Sequence, residues 1–223
     1  MHLLDLEVAR EYIGVLLQGL QLTIGLALVV LTFSLVFAIP VALGRMSHSP
    51  LIRIPIDLYV EVMRTTPLLL QLIYIYYVLP QAGIRLGPFT AGVLGLTLHY
   101  SAYIGEVYRA GINGVPRGQF DAAEALGLSR YMRYRLIILP QALRIVVPAL
   151  GNYFITIFKD TALTSVMSVQ ELMFTGEIVS ARTYQYFTMY TLTALLYMAV
   201  GYPSALLVGR LERITSRGYS HQR

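Results

Sequence analysis

The chain has 223 residues, 56% of them hydrophobic and only 13% charged, with a mean hydropathy of +0.62. A soluble domain carries about 25% charged residues, so this composition excludes a water-soluble globule and points to a bilayer. The lack of cysteine excludes disulfides and thiolate-held metals, and the net charge of +5 is explained by where the arginines sit rather than by nucleic acid.

In chain order, the N-terminus sets Asp5, Glu7 and Glu11 against Arg10. A secretory leader is basic at its start, so no signal peptide is predicted. Crossing a hydrocarbon core of about 30 Å takes about 20 apolar residues. Stretches that meet this lie near 17–43, 55–79, 89–112, 136–158 and 188–208. The second is free of charge after Arg64, the third is apolar until Glu106, and the fourth is interrupted by Pro140, Arg144 and Pro148. The expectation is an all-α membrane protein of five transmembrane helices, a single domain over 1–223.

Basic residues in short loops set orientation. Arg45 and Arg53 follow the first span; Arg109, Arg117, Arg130, Arg133, Arg135 and Arg144 lie around the connection of the third and fourth; Arg210, Arg213, Arg217 and Arg223 form the tail. These are twelve, against Arg10, Arg85, Lys159 and Arg182 on the other side, with Arg64 set aside as intramembrane. The N-terminus is therefore expected outside and the C-terminus in the cytoplasm, as an odd number of spans requires.

The connection 113–135 has its own structural grammar. Pro116 and Gly118 form a turn that ends the preceding helix. Gln119 and Asp121 suit a helix N-terminus, and Ala122, Ala123 and Ala125 favour helix with a low-profile surface beside Glu124. Gly127 can supply the left-handed residue that ends it, and Ser129 can cap the next helix. A short helix over about 120–126 then stands out of the membrane, with a shape suited to a groove on a cytoplasmic partner.

Asp121-Ala122-Ala123, Gly127, Ile137 and Leu139-Pro140, at these spacings, resemble the coupling signature of ABC importer permeases, with Asp in place of the usual Glu. Further matches are similar to the polar amino-acid uptake branch. They are Glu61-Val62-Met63-Arg64-Thr65-Thr66-Pro67, Ser101-Ala102-Tyr103-Ile104-Gly105-Glu106, Lys159-Asp160-Thr161-Ala162-Leu163 and Val169-Gln170-Glu171-Leu172. The resemblance implies a five-helix type I importer permease in a bacterial cytoplasmic (inner) membrane, paired with a second permease as homodimer or heterodimer. It further implies docking of the coupling helix into ABC ATPase subunits and delivery of an amino acid by an extracytoplasmic substrate-binding protein. The chain has no phosphate-binding loop of its own, so no cofactor is expected here and ATP belongs to the partner; transport without covalent chemistry is the implied activity.

Charges within a membrane segment are costly and point to function. Arg64 lies three residues after Glu61, either as a structural ion pair or on a stretch, 64–67, that breaks at Pro67 and lines the path. Glu106 and Arg109 repeat that spacing and read as a structural pair. Lys159 and Asp160, adjacent at the outer end of the fourth span, offer a cation and an anion to an amino acid or a gate. Gln71, His99, Ser101 and Tyr103 are polar groups in apolar helices that serve either substrate or interhelical hydrogen bonds. The four histidines, His2, His48, His99 and His221, have no metal-ligand spacing, so no metal is expected. Beyond Glu61, Glu106 and Asp160 no acidic residue is read as lying in or beside the spans, which favours a neutral polar or acidic amino acid. The alternatives are a permease of the same fold for an osmolyte or organic ion, and a different membrane protein such as an intramembrane enzyme or a channel.

Overall fold

The computed structural model describes residues 5–216, and every element in it is helical. Arg217 and Arg223, counted in the orientation argument, and His2 and His221, counted in the metal argument, lie outside the described residues. Helix α1 (Leu6–Arg45) starts where the Asp5 carboxylate accepts the N–H groups of Glu7 and Val8 at 3.0 and 3.2 Å, satisfying donors that the first turn leaves open. Its 40 residues exceed the length of a membrane core.

Helix α2 (Pro50–Thr65) opens on proline, whose missing N–H costs nothing at that position. It ends at Thr66-Pro67, and α3 (Leu68–Ile73) leaves at a sharp angle, continuing through a π turn (Tyr74–Val78) and a 3-10 turn (Leu79–Ala82). The two halves are bent by 109°, so the stretch 55–79 is not one straight helix. Pro67 is the cause, because it cannot donate to the carbonyl four residues back.

Helix α4 (Pro88–Asn113) is the central rod. Leu16, Leu26, Ala27, Val30, Leu96, Tyr100 and Ile104 are buried in the core that α1 and α4 share with the later helices. Glycine permits the closest approaches: a Cβ on Gly105 would stand 2.7 Å from Val41 Cγ1 on α1, and one on Gly111 would stand 2.3 Å from Val146 Cγ2 on α7. Small residues at such crossings are how helices pack tightly in a bilayer.

After α4 come α5 (Arg117–Ala125), α6 (Arg130–Arg133), a second π turn (Tyr134–Ile138), α7 (Leu139–Asp160) and a 3-10 turn (Thr161–Met167). Helix α8 (Leu172–Thr183) and α9 (Tyr186–Ser216) complete the chain. Both π turns precede the same tetrapeptide, Leu79-Pro80-Gln81-Ala82 and Leu139-Pro140-Gln141-Ala142. In each the leucine N–H bonds five residues back, to Tyr74 and Tyr134 respectively. The proline ring presses on the carbonyl four positions before it, and a widened turn relieves that pressure.

Among the described residues, α1, the rod Arg130–Met167 and α9 are long and apolar enough to cross a membrane, and the bent pair α2–α3 is a fourth when taken as one span. Helix α4 is long enough but falls short in apolar content, contrary to its reading as a plainly hydrophobic span. Its polar residues, Thr97, His99 and Ser101, are buried by neighbouring helices rather than turned to lipid. Helix α8, packed on α1 and α9, had no counterpart among the expected elements.

One end of the bundle is tied by charge. Arg45 of α1 meets Asp57 of α2 at 2.8 Å and Glu106 of α4 at 2.6 Å. Arg109 engages both oxygens of Glu106, at 3.1 and 2.9 Å, so the expected Glu106–Arg109 pair is present and structural, joining three helices.

Candidate functional site

Two places gather the residues singled out by sequence. The first is α5, which begins at Arg117 and ends at Ala125 rather than spanning 120–126. Its end is a complete Schellman motif. Gly127 takes φ +68°, its N–H bonds Glu124 O at 2.9 Å, and the Leu128 N–H bonds Ala123 O at 3.1 Å. Ser129 then caps α6, accepting from the Met132 N–H at 3.4 Å. The chain reverses in three residues and feeds into the α6–α7 rod.

Helix α5 is seated on that rod by Phe120, edge-on to Tyr134 with centroids 6.3 Å apart, and by a Glu124–Arg133 ion pair at 3.1 Å. Gln119 accepts from Gln141 at 3.1 Å, so it faces the rod rather than capping its own helix. Ala123 is fully buried, which corrects its expected place on a partner-facing surface. The free face includes Asp121, Ala122 and Ala125, with Arg117 and Gly118 exposed at the start of the helix.

The second place surrounds the break at Pro67. Five of the expected residues, Arg64, Gln71, His99, Tyr103 and Asp160, belong to one contiguous cluster. The Arg64 guanidinium lies 5.4 Å from the centre of the Tyr103 ring, a cation–π distance. Tyr103 packs on His99 at 4.9 Å, and His99 on Tyr100 at 5.2 Å. His99 Nδ1 is 3.0 Å from Gln71 Oε1. At the far side the Tyr100 hydroxyl donates to Asp160 of α7, and Tyr153 of α7 lies against both Tyr100 and Tyr103. Three separate elements, α2–α3, α4 and α7, thus bring a guanidinium, a carboxylate and a tyrosine-rich wall together.

Other expected members stand apart. Glu61 is exposed and makes no ion pair with Arg64 among the described residues; the helix break and the Tyr103 ring draw Arg64 elsewhere. Ser101 faces α2, its hydroxyl 2.7 Å from the Tyr59 hydroxyl, which donates to Leu98 O at 2.5 Å. Two residues beyond His99, it lies on the opposite helix face. Lys159 is exposed whereas its neighbour Asp160 is half-buried, so the two do not present a side-by-side pair. Among the described residues no group of three or more His, Cys, Asp or Glu could hold a metal.

Besides Asp57 on α2, one fully buried acidic residue was missed. Glu171 is fully buried, accepting the N–H groups of Met173 and Phe174 at 2.9 and 2.7 Å and the Tyr197 hydroxyl at 2.7 Å. The expectation that only Glu61, Glu106 and Asp160 lie among the helices is therefore corrected. Every bond to Glu171 is internal, so it caps α8 and ties α8 to α9; its sequence signal, a Glu directly before Leu172-Met173-Phe174, was a helix start.

Comparison with known proteins agrees with this anatomy. The model of the binding-protein-dependent transport system inner membrane component family matches residues 31–217. A probable amino-acid ABC transporter permease protein of Bacillus subtilis, YckA, is 35% identical over 95% of this chain and 94% of its own length. A probable glutamine ABC transporter permease of the same organism, GlnM, is 33% identical over 97% and 100%. In three dimensions the chain is similar to a crystal structure of an amino acid ABC transporter with histidines, with a TM-score of 0.90 and 37% identity over 94% of this chain and 98% of that one. An inward-facing MetNI methionine transporter shares the fold, with a TM-score of 0.76 at 21% identity over 92% and 98%. The chain belongs to the binding-protein-dependent transport system inner membrane components, the membrane-embedded permease subunits of ABC importers, which carry no catalytic activity of their own and leave ATP hydrolysis to a separate ATPase.

Proposed function

We infer that this permease moves amino acids through the bacterial cytoplasmic membrane as one half of a permease dimer. The observation that carries the reading is the cluster at the helix break. Arg64 and Asp160 sit at two sides of a wall of tyrosines, opposite charges matched to the carboxylate and ammonium of one zwitterion. Charge-assisted hydrogen bonds to both groups would fix the substrate's orientation and leave its side chain to the aromatic wall.

In this reading the bundle end tied by Arg45, Asp57, Glu106 and Arg109 faces the cytoplasm, and the Asp160 end faces outward toward a substrate-binding protein. The count of five spans takes α2–α3 as one and includes α4. The free face of α5, with Asp121, Ala122 and Ala125, enters a groove on the ATPase. ATP-driven closure of the two ATPases draws the coupling helices together, and the rod continuous with each carries that displacement to Asp160. ATP is held by the partner, and no cofactor is assigned to this chain.

The test is reconstitution in liposomes with a co-expressed ATPase and binding protein, measuring ATP hydrolysis against a panel of amino acids. Stimulation by neutral polar or acidic amino acids, without competition by lysine or arginine, is the expected result, since Arg64 and Asp160 already balance and Glu171 is spent on internal bonds. Strong competition by the basic amino acids would overturn the choice of side chain. Stimulation by an osmolyte or organic ion alone would overturn the amino-acid reading.

A further inference from the structure

Proline at position 67 leaves the carbonyl of Met63 without its helical donor, and the break also strands the carbonyl of Thr66. Buried backbone acceptors in a bilayer need partners, because no water is at hand to supply them. The partner here is one side chain. Gln71 Nε2 donates to Met63 O at 3.0 Å, to Thr66 O at 3.1 Å and to Thr66 Oγ1 at 2.7 Å, its two hydrogens shared among three oxygens. The Thr66 hydroxyl in turn donates to Val62 O at 2.7 Å. With its nitrogen so committed, Gln71 presents Oε1, which can only accept, to His99 Nδ1 at 3.0 Å. The proton of that bond therefore sits on Nδ1. His99 is buried on α4 and packs at a tilt against Tyr103, the ring beneath Arg64.

We propose that Gln71 and His99 are a positioning pair: Gln71 replaces the backbone donors lost at Pro67, His99 anchors it to α4, and together they fix the bend that sets Arg64 over Tyr103. Neither residue needs to touch substrate in this role. That Arg64 itself contacts substrate rests on the reading above, and the experiment separates the two claims.

The chain has no cysteine, so labels at Leu58→Cys and Leu70→Cys, both exposed and on opposite sides of the break, report the bend by pulsed electron spin resonance in the reconstituted importer. Gln71→Leu keeps the bulk and removes every donor. It is expected to shift the mean interlabel distance by about 5 Å, one helical turn, or to broaden the distribution by more than about twofold, since a bend without its bonds is no longer a single state. His99→Leu should do the same. His99→Asn, which keeps a nitrogen donor near the place of Nδ1, should restore the native distribution. A native distribution in Gln71→Leu overturns the proposal, as does His99→Asn behaving like His99→Leu. Should Gln71→Leu fail to insert, the contrast between the two His99 variants decides the matter alone. Arg64→Gln is measured alongside. Undiminished transport by it with a disturbed bend in Gln71→Leu sinks the substrate reading alone, and lost transport with an undisturbed bend sinks the positioning pair alone.

Discussion

Replacing Glu171 by alanine removes a carboxylate that three helices depend on. The carboxylate caps α8 through the Met173 and Phe174 amides and accepts the Tyr197 hydroxyl, with the Thr23 hydroxyl a further 3.4 Å contact from α1. An N-cap is worth about 1 kcal/mol. A hydrogen bond to a charged acceptor contributes about 1.5–3 kcal/mol, and a buried hydroxyl left without a partner costs about 1–3 kcal/mol. The expected loss for Glu171→Ala is thus about 3.5–7 kcal/mol. For a chain of this size that is a fall in Tm of at least about 7 °C, at about 2–4 °C per kcal/mol. Glu171→Gln is milder. Its oxygen can still serve one amide and its nitrogen can donate to the Tyr197 oxygen, leaving a loss of about 1–2 kcal/mol. The chain has no tryptophan, so the assay is the monodisperse peak surviving on size-exclusion chromatography after stepwise heating in detergent. An alanine variant melting within about 1 °C of the native protein would mean that Glu171 is not the joint described.

Gly127→Pro, at a residue with φ +68° that proline cannot adopt, and Ala122→Arg, on the free face of α5, should both insert normally. Each should lose more than about tenfold of ATP-coupled uptake, equivalent to about 1.4 kcal/mol; normal uptake by both would remove α5 from the coupling role. Ala123 is the wrong place for that test, since a charge there destroys the helix's own seat. Arg64→Gln should raise the KM for transport by about tenfold to a hundredfold, as expected for the loss of a charged hydrogen bond of about 1.5–3 kcal/mol, with Arg64→Lys in between because ammonium lacks the planar fork. Glu106→Gln, which leaves Arg45 and Arg109 facing each other across a neutral amide, should lower Tm by about 2–6 °C, and the loss should shrink in high salt, which screens the exposed part of that repulsion; a salt-independent change would argue against the network.

Local rules were enough to read how α5 ends. Gly127 and Ser129, two residues apart, announce a left-handed stop and a cap, and both are backbone effects that need no tertiary knowledge. The proline at 67 likewise announced a lost hydrogen bond, but whether the helix bends or merely kinks there depends on Gln71 and His99, one of them on another helix. Ala123 was misplaced because composition gives the helix and its periodicity gives faces, yet which face meets the protein is decided by the neighbours; for Ser101 the neighbour on α2 selects the interhelical hydrogen bond from its two readings. Glu171 was illegible as a buried group because only the closing of α8 onto α1 and α9 buries it. The polar content of α4 obscured a different point, that a helix enclosed by its own protein need not be as apolar as one facing lipid.

The π turn at Tyr134–Ile138 also sets a phase. A π turn is in effect one residue added to an α-helix, and each residue in an α-helix turns the chain by about 100°. Everything after Pro140 is therefore presented about a quarter-turn away from where an uninterrupted helix would put it. Val146 meets the bare backbone of Gly111 and Asp160 meets Tyr100 in that shifted phase. Deleting a single residue between 134 and 138 would return the π turn to ordinary helix and keep both contacts in phase, whereas deleting one residue between 141 and 145 would rotate both off α4 at once.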